Sequence, residues 1–364
     1  MGIKKLCLII PSLQLGGMER VMSELAIYFC LRDELEVHLV LYGREPEIFY
    51  PVPQALIVHR PTRGFNNTFR QISAIGRLIY LRQTVKKIKP NAVLSFGEYW
   101  NSFVLVSLIG LPYPIFVSDR CSPKMDFGIF HRFLRMISYR WAKGIIAQTG
   151  IAKEMYFDQV RNKNIAVIGN PIRKIDSPGY PVHKENIVLT VGRLIRTKHH
   201  DKLIEIFCKI STPGWKLVIV GGDALKQNNM IRLRELIQKL GMSEKIILAG
   251  NQSDVDIYYL KSKVFAFVSS SEGFPNVIGE AMSAGLPVVA FDCVAGPGEL
   301  IEDGKNGLLV PVLDFQTFLV KLEKLMTDKD LRDELGTYAR KSIQDFSLDN
   351  IGKKYFDFIF KSDK

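Results

Sequence analysis

Two glutamates eight positions apart, Glu272 and Glu280, flank a stretch whose residues start a helix. Between them run Gly273, Phe274, Pro275, Asn276 and Val277, and Pro275 suits the first helical position, where its missing N–H costs nothing. The free N–H groups and positive dipole end of such a helix form an anion site between the two carboxylates. Carboxylates accept paired hydrogen bonds from vicinal hydroxyls, so one can hold a ribose and the other a hexose on either side of a diphosphate. That ligand is a nucleotide sugar. As an isolated pair the same residues also describe an ordinary βαβ unit with a solvated loop Glu and a helix-surface Glu, since charged side chains are mostly exposed.

Other loops carry matching chemistry. Arg193 and Lys198 lie five apart after an apolar run and before a helix, where both can converge on a departing diphosphate. A guanidinium fork grips phosphate oxygens and an ammonium adds a point charge, although basic loop residues are commonly just solvated. Arg196 is less well defined, and His199-His200 reads as a surface pair at a helix start. Gly16-Gly17, after the first apolar run, permits close approach of backbone to ligand, or simply a tight turn. Asn251 falls in a turn that lines the same end of the second half, and Asp254-Val255-Asp256 reads as a helix cap rather than a metal site.

The passage from Val264 to Ala290, with Glu-Gly-Phe-Pro-Asn at 272–276 and Glu-Ala-Met-Ser-Ala-Gly-Leu-Pro-Val-Val at 280–289, resembles the Glu-x7-Glu signature of retaining glycosyltransferases of family 4. The resemblance implies that Glu272 fixes the hexose, Glu280 the ribose, and Arg193 and Lys198 the diphosphate. It implies that Gly16 and Gly17 approach the donor phosphates, and that Asn251 lies in the loop contacting the base. A hexosyl group then passes from a UDP-sugar to a glycan acceptor with retention, by front-face substitution, with no cofactor and no metal. Many relatives carry a histidine where this chain has Asp119-Arg120, so the role of that histidine does not transfer. Asp119 or Arg120 is then the candidate for orienting the acceptor. Glu98, in Glu98-Tyr99-Trp100-Asn101, suits a sugar acceptor or the packing of a helix start.

The elements that must position these residues alternate. Strand-length apolar runs at 6–10, 36–41, 91–96, 114–118, 144–147 and 164–168 are separated by helix-period stretches, which is a parallel α/β pattern. Residues 171–181 hold three prolines and no periodicity, and read as a linker. The rhythm restarts with strands at 187–191, 216–221, 245–249, 264–268 and 287–291 and helices at about 200–210, 225–240, 253–260 and 275–284. The expected organisation is an acceptor domain at 1–175, a donor domain at 176–345 and a last helix at 346–364 that, by the resemblance, packs back on the first domain. The expected fold class is α/β, two doubly wound Rossmann-like domains facing across a cleft, the GT-B arrangement.

All of the net charge of +12 belongs to residues 1–175, with 24 Lys and Arg against 12 Asp and Glu, while 176–364 hold 25 of each. A one-sided field of this kind attracts anionic surfaces. Two basic stretches, 70–89 and 131–143, interleave cations with apolar residues. They suit either an interfacial helix or a core-facing stripe with a solvated basic face. The expected partners are a nucleotide-sugar donor, a glycan acceptor on a lipid carrier, and an anionic membrane surface. No apolar run approaches membrane-spanning length, the N-terminal run is too short for a secretory signal, and five scattered cysteines read as reduced, buried thiols. The expected location is the cytoplasm, peripheral on the inner face of the membrane. A nucleotide-sugar epimerase is the rival enzyme. The pI of 9.3 also invites nucleic-acid binding, but no helix-turn-helix, zinc or RNA-recognition motif supports it.

Overall fold

A computed structural model of the chain describes residues 2–14, 16–44, 48–62, 64–160, 162–224 and 227–361. It separates into two compact units, Met1–Pro171 with Leu348–Lys364, and Ile172–Ser347. The boundary falls four residues before the expected 175, because Ile172 and Ile175 are buried in the core of the second unit. The return point falls at 347 rather than 345.

The first unit holds one parallel sheet of β1 (Lys4–Ile10), β2 (Leu35–Leu41), β3 (Ile57–His59), β4 (Ala92–Phe96), β5 (Ile115–Ser118), β6 (Gly144–Ala147) and β7 (Ile165–Val167). Their spatial order is β3-β2-β1-β4-β5-β6-β7. Strand β3 was not expected; at three residues, partly exposed, it lacks the apolar run that marks the others. Buried positions on one face, among them Cys7, Ile9, Val93, Val117 and Ile145, pack against Leu81, Val85 and Leu105 of the covering helices. The helix Leu348–Phe360 completes this unit. It lies so close to the helix Gly17–Cys30 that a Cβ at Gly352 would sit 2.4 Å from the Tyr28 ring. Arg32 reinforces the contact, with its guanidinium 4.0 Å from the centroid of Phe356.

The second unit holds β8 (Ile187–Val191), β9 (Lys216–Val220), β10 (Ile246–Gly250), β11 (Val264–Phe267), β12 (Val288–Phe291) and β13 (Leu308–Val310), ordered β10-β9-β8-β11-β12-β13 and all parallel. Strand β13, again three residues long, was not expected. In β11, Val264 and Ala266 enter one buried cluster and Phe265 and Phe267 the other. Burial on both faces explains the unbroken apolar runs that mark these strands. Both units are Rossmann-like. The strand order reverses between β1 and β4 in one sheet and between β8 and β11 in the other. Ligands of open parallel sheets bind beyond the carboxyl ends of strands at such reversals.

Candidate active site

At the reversal in the second unit, the loops leaving β8 and β11 are tied together. The Gly192 and Leu194 amides donate to the Val220 and Gly222 carbonyls, both at 2.9 Å. Gly221 has φ of +142°, and a Cβ there would fall 2.0 Å from the Gly192 carbonyl oxygen. Only glycine lets the two turns approach so closely. Asn251 lies alongside, its Oδ1 2.6 Å from where a Cβ of Gly222 would be. A single 3-10 turn, Arg196–Lys198, then brings the Thr197 carbonyl to the Ser270 amide at 2.9 Å. His199 Nε2 and Ser270 Oγ are also 2.9 Å apart.

These ties set Lys198 Nζ 2.5 Å from Glu272 Oε1 and 4.8 Å from the centroid of the Phe267 ring. The two side chains retain 16% and 13% exposure, so the pair is shielded but reachable. Arg193 is exposed and forms no ion pair among the described residues. Across from the pair, Gly296 approaches, with a Cβ there 3.3 Å from Glu272 Cβ and 3.4 Å from Pro275 Cδ. The loops here present an ammonium, a carboxylate and an exposed guanidinium.

The helix after Glu272 runs Asn276–Ser283, with Pro275 at the N-cap rather than the first helical position, and its carbonyl accepting the Ile278 amide at 3.0 Å. Phe274 is buried against Phe346, with centroids 5.9 Å apart, which anchors the loop. Gly273, Asn276 and Val277 are half-buried. Glu280 lies on the inner face at 4% exposure, accepting from Tyr259 OH at 2.9 Å and 3.4 Å from Arg173 Nε. Arg173 also pairs with Asp256. The sequence signalled neither Tyr259 nor Arg173 as a partner of Glu280, since Arg173 reads as linker and Tyr259 as helix core. Asp254 accepts from the Asp256 amide at 3.1 Å, so its carboxylate ties the helix start.

His200, expected at the surface, is buried, and burial with the Lys198 charge behind it lowers its pKa to about 4. The helix turns it inward from a left-handed His199, φ 45°. Burial pushes the Cys293 thiol up to about 12, with the Glu272 carboxylate adding to the effect. Cys7 and Cys293 are buried, but Cys30, Cys121 and Cys208 are only partly so, unlike the uniformly buried thiols expected. Among the described residues no three His, Cys, Asp or Glu side chains gather as metal ligands.

The first unit places its candidate residues differently. Gly16 caps the helix Gly17–Cys30 and is clamped by Tyr50, whose hydroxyl donates to the Gly16 carbonyl at 2.9 Å. Glu98, expected to face an acceptor or to pack a helix start, is buried, and its carboxylate accepts the Arg120 amide at 2.6 Å and the Cys121 amide. Asp119 is also turned inward, accepting from Tyr139 OH at 2.5 Å and Asn101 Nδ2 at 3.0 Å. Burial raises the pKa of both carboxyls, Glu98 to about 7, and the Asp119 charge contributes to the Glu98 shift. Arg120 lays its guanidinium 3.7 Å from the Phe96 centroid and donates to Tyr355 OH at 2.6 Å and to Asn170. These contacts hold the 119–121 turn to its neighbours.

Residues 173–342 match the family model described as glycosyl transferases group 1, a span lying wholly inside the second unit. The amylovoran biosynthesis glycosyltransferase AmsD of Erwinia amylovora is 28% identical over 354 residues, covering 94% of this chain and 96% of its own. The GalNAc-alpha-(1->4)-GalNAc-alpha-(1->3)-diNAcBac-PP-undecaprenol alpha-1,4-N-acetyl-D-galactosaminyltransferase of Campylobacter jejuni is 26% identical, over 98% of both chains. Among solved structures, HepE of Anabaena in complex with UDP superposes with a TM-score of 0.80 at 19% identity, over 98% of this chain and 99% of that one. The fold is that of the GT-B glycosyltransferases, and over residues 173–342 the chain is similar to the glycosyl transferases group 1.

Proposed function

We propose that this glycosyltransferase moves a hexosyl group from a UDP-sugar to a hydroxyl of a lipid-linked glycan, with retention and without a metal. The observation that carries the reading is the Lys198–Glu272 pair at the β8/β11 reversal, beside the start of the helix Asn276–Ser283. Lys198, Arg193 and the helix start stabilise the charge that develops on the departing diphosphate. Glu272 fixes the hexose, and Glu280, steadied by Tyr259 and Arg173, takes the ribose hydroxyls. Asn251 and the backbone from Gly273 to Val277 complete the donor contacts within the second unit. The bond from the anomeric carbon to the diphosphate breaks as the acceptor oxygen bonds on the same face, and the acceptor proton passes to the leaving phosphate. The relatives support this reading: HepE is solved with UDP, and the Campylobacter jejuni enzyme is named for a diphosphate-linked undecaprenol glycan.

We assign the first unit to the acceptor and to the cytoplasmic face of an anionic membrane. No helix among the described residues is long and apolar enough to cross a bilayer. The helix Ile129–Ser138 buries only Ser138 and leaves Ile129 at 83% and Phe130 at 73% exposure, with Phe133 and Arg132 also outward. Apolar side chains beside cations are what an interfacial helix needs. A thermal-shift panel of UDP, GDP and ADP sugars tests the donor assignment, because a ligand of the folded state raises the melting temperature by mass action. A UDP-sugar should give the largest rise. The absence of any rise at millimolar UDP-sugar would overturn the reading.

A further inference from the structure

The first unit contains a cavity of about 700 Å³ that none of the residues assigned above lines, apart from the loop that leads to Gly16. It opens at the β1/β4 reversal, between Pro11 and Gln14 after β1, Tyr42 to Arg44 after β2, the helix Arg70–Ile88 and the start of the helix Glu98–Ser107. Its walls are aromatic. Tyr42 stacks on Phe103 with centroids 5.6 Å apart and meets Trp100 edge-on at 6.2 Å, while Tyr99 meets Trp100 at 5.2 Å. Planar rings of this kind receive the C–H face of a pyranose.

The charges in the wall have one sign. Arg44, Arg70 and Arg77 line the cavity, and among the described residues no carboxylate does. A neutral sugar is normally held by acceptors for its hydroxyls, whereas guanidinium forks match the paired oxygens of carboxylate or phosphate. Arg44 is already aligned, 4.8 Å from the centroid of Phe65. Tyr42 adds a second signal: it is 97% buried by its 3% exposure, yet its hydroxyl has no hydrogen-bond partner among the described residues. A buried hydroxyl without a partner is costly, so a ligand group that meets it is favoured.

We infer that this cavity binds an anionic pyranose, a sugar ring bearing a phosphate or carboxylate, as part of the acceptor. The inference rests on the transfer reading above and narrows its acceptor to an acidic one. The test uses the full chain and four probes in ligand-observed NMR titrations: methyl glucuronide, glucose 1-phosphate, methyl glucoside and inorganic phosphate. Either or both charged pyranoses should bind at least tenfold more tightly than methyl glucoside and than inorganic phosphate, and which of the two leads identifies the anionic group. Arg44→Gln combined with Arg70→Gln should erase that preference, and Trp100→Leu should weaken all three sugars, with UDP binding unchanged throughout. Arg44, Arg70 and Trp100 are exposed, and unchanged UDP binding checks that the variants remain folded. Equal binding of the neutral and charged sugars, or a preference that survives the double substitution, overturns the inference while UDP binding leaves the donor assignment standing. Loss of UDP binding in the native chain with the charged-sugar preference intact overturns the donor assignment and not the cavity.

Discussion

Replacing Glu272 by Gln removes the charge that faces Lys198 at 2.5 Å while keeping the shape of the side chain. At an effective dielectric of 20 the attraction across that distance is about 7 kcal/mol, most of which the desolvation of two shielded ions offsets. The net loss follows from leaving Lys198 unpaired. Breaking a fully buried pair costs about 3–5 kcal/mol, and the residual exposure of 16% and 13% lowers the expectation to about 2 kcal/mol. Lys198 keeps its position over Phe267, which softens the loss further. Lys198→Met should cost a similar amount, and the double variant should cost less than the two added, with a coupling of about 1–2 kcal/mol. Urea unfolding followed by circular dichroism measures all four proteins. Turnover, read as UDP released from the UDP-sugar that the thermal-shift panel selects, should fall about 100-fold to 1,000-fold in each single variant, as for other preorganised groups that stabilise developing charge. The double variant should fall little further, because the two residues act as a unit. A Glu272→Gln protein within tenfold of native turnover, or stabilities that add without coupling, would refute the reasoning.

Gly221→Ala should cost about 2–4 kcal/mol in unfolding free energy, because its Cβ meets the Gly192 carbonyl at 2.0 Å and its φ of +142° disfavours any side chain; a loss under 1 kcal/mol in urea unfolding would contradict the close packing of the two turns. His200 is neutral when folded, with its pKa lowered from 6.5 to about 4, so its contribution is complete above pH 6.5 and is lost as pH falls toward 4. That loss amounts to about 3 kcal/mol, and His200→Leu should flatten the slope between those two pH values; an identical slope in the variant would remove His200 as its source. Vesicles rich in phosphatidylglycerol should sediment the native chain at low salt, and Phe130→Ser with Phe133→Ser should weaken partition at least tenfold with melting unchanged, since both rings are exposed. Native protein that stays in the supernatant would exclude this helix as a membrane contact.

Most of both sheets could be read from apolar runs, because a parallel strand buried on two faces shows its whole length in the sequence. The two strands that escaped, Ile57–His59 and Leu308–Val310, are three-residue edges of their sheets, and the first shows water part of its length. In the second unit the loop and helix carrying Glu272 and Glu280 were legible because glycine, proline and carboxylates stand in a fixed local order. Glu280 finding Tyr259 and Arg173 was not, for those contacts join residues 21 and 107 positions away through the packing of the sheet. The burial of Glu98 and Asp119 was not legible for a related reason. A carboxylate usually faces water, and only the fold reveals that the amides of Arg120 and Cys121 meet Glu98, and the side chains of Asn101 and Tyr139 meet Asp119, inside. The exposed face of Ile129–Ser138 was legible only as an even choice, since the pattern is the same whether a core or a bilayer covers it.

The first unit is interrupted: residues 172–347 separate its main body from the helix Leu348–Phe360, which fills the seat beside Tyr28 and Arg120. On the ribosome, at about 5–20 residues per second, the nascent first unit waits roughly ten to forty seconds for that last segment. The intervening half, contiguous in sequence, can complete itself first. The first unit therefore spends that interval with an uncovered seat beside Tyr28, although it is translated earlier.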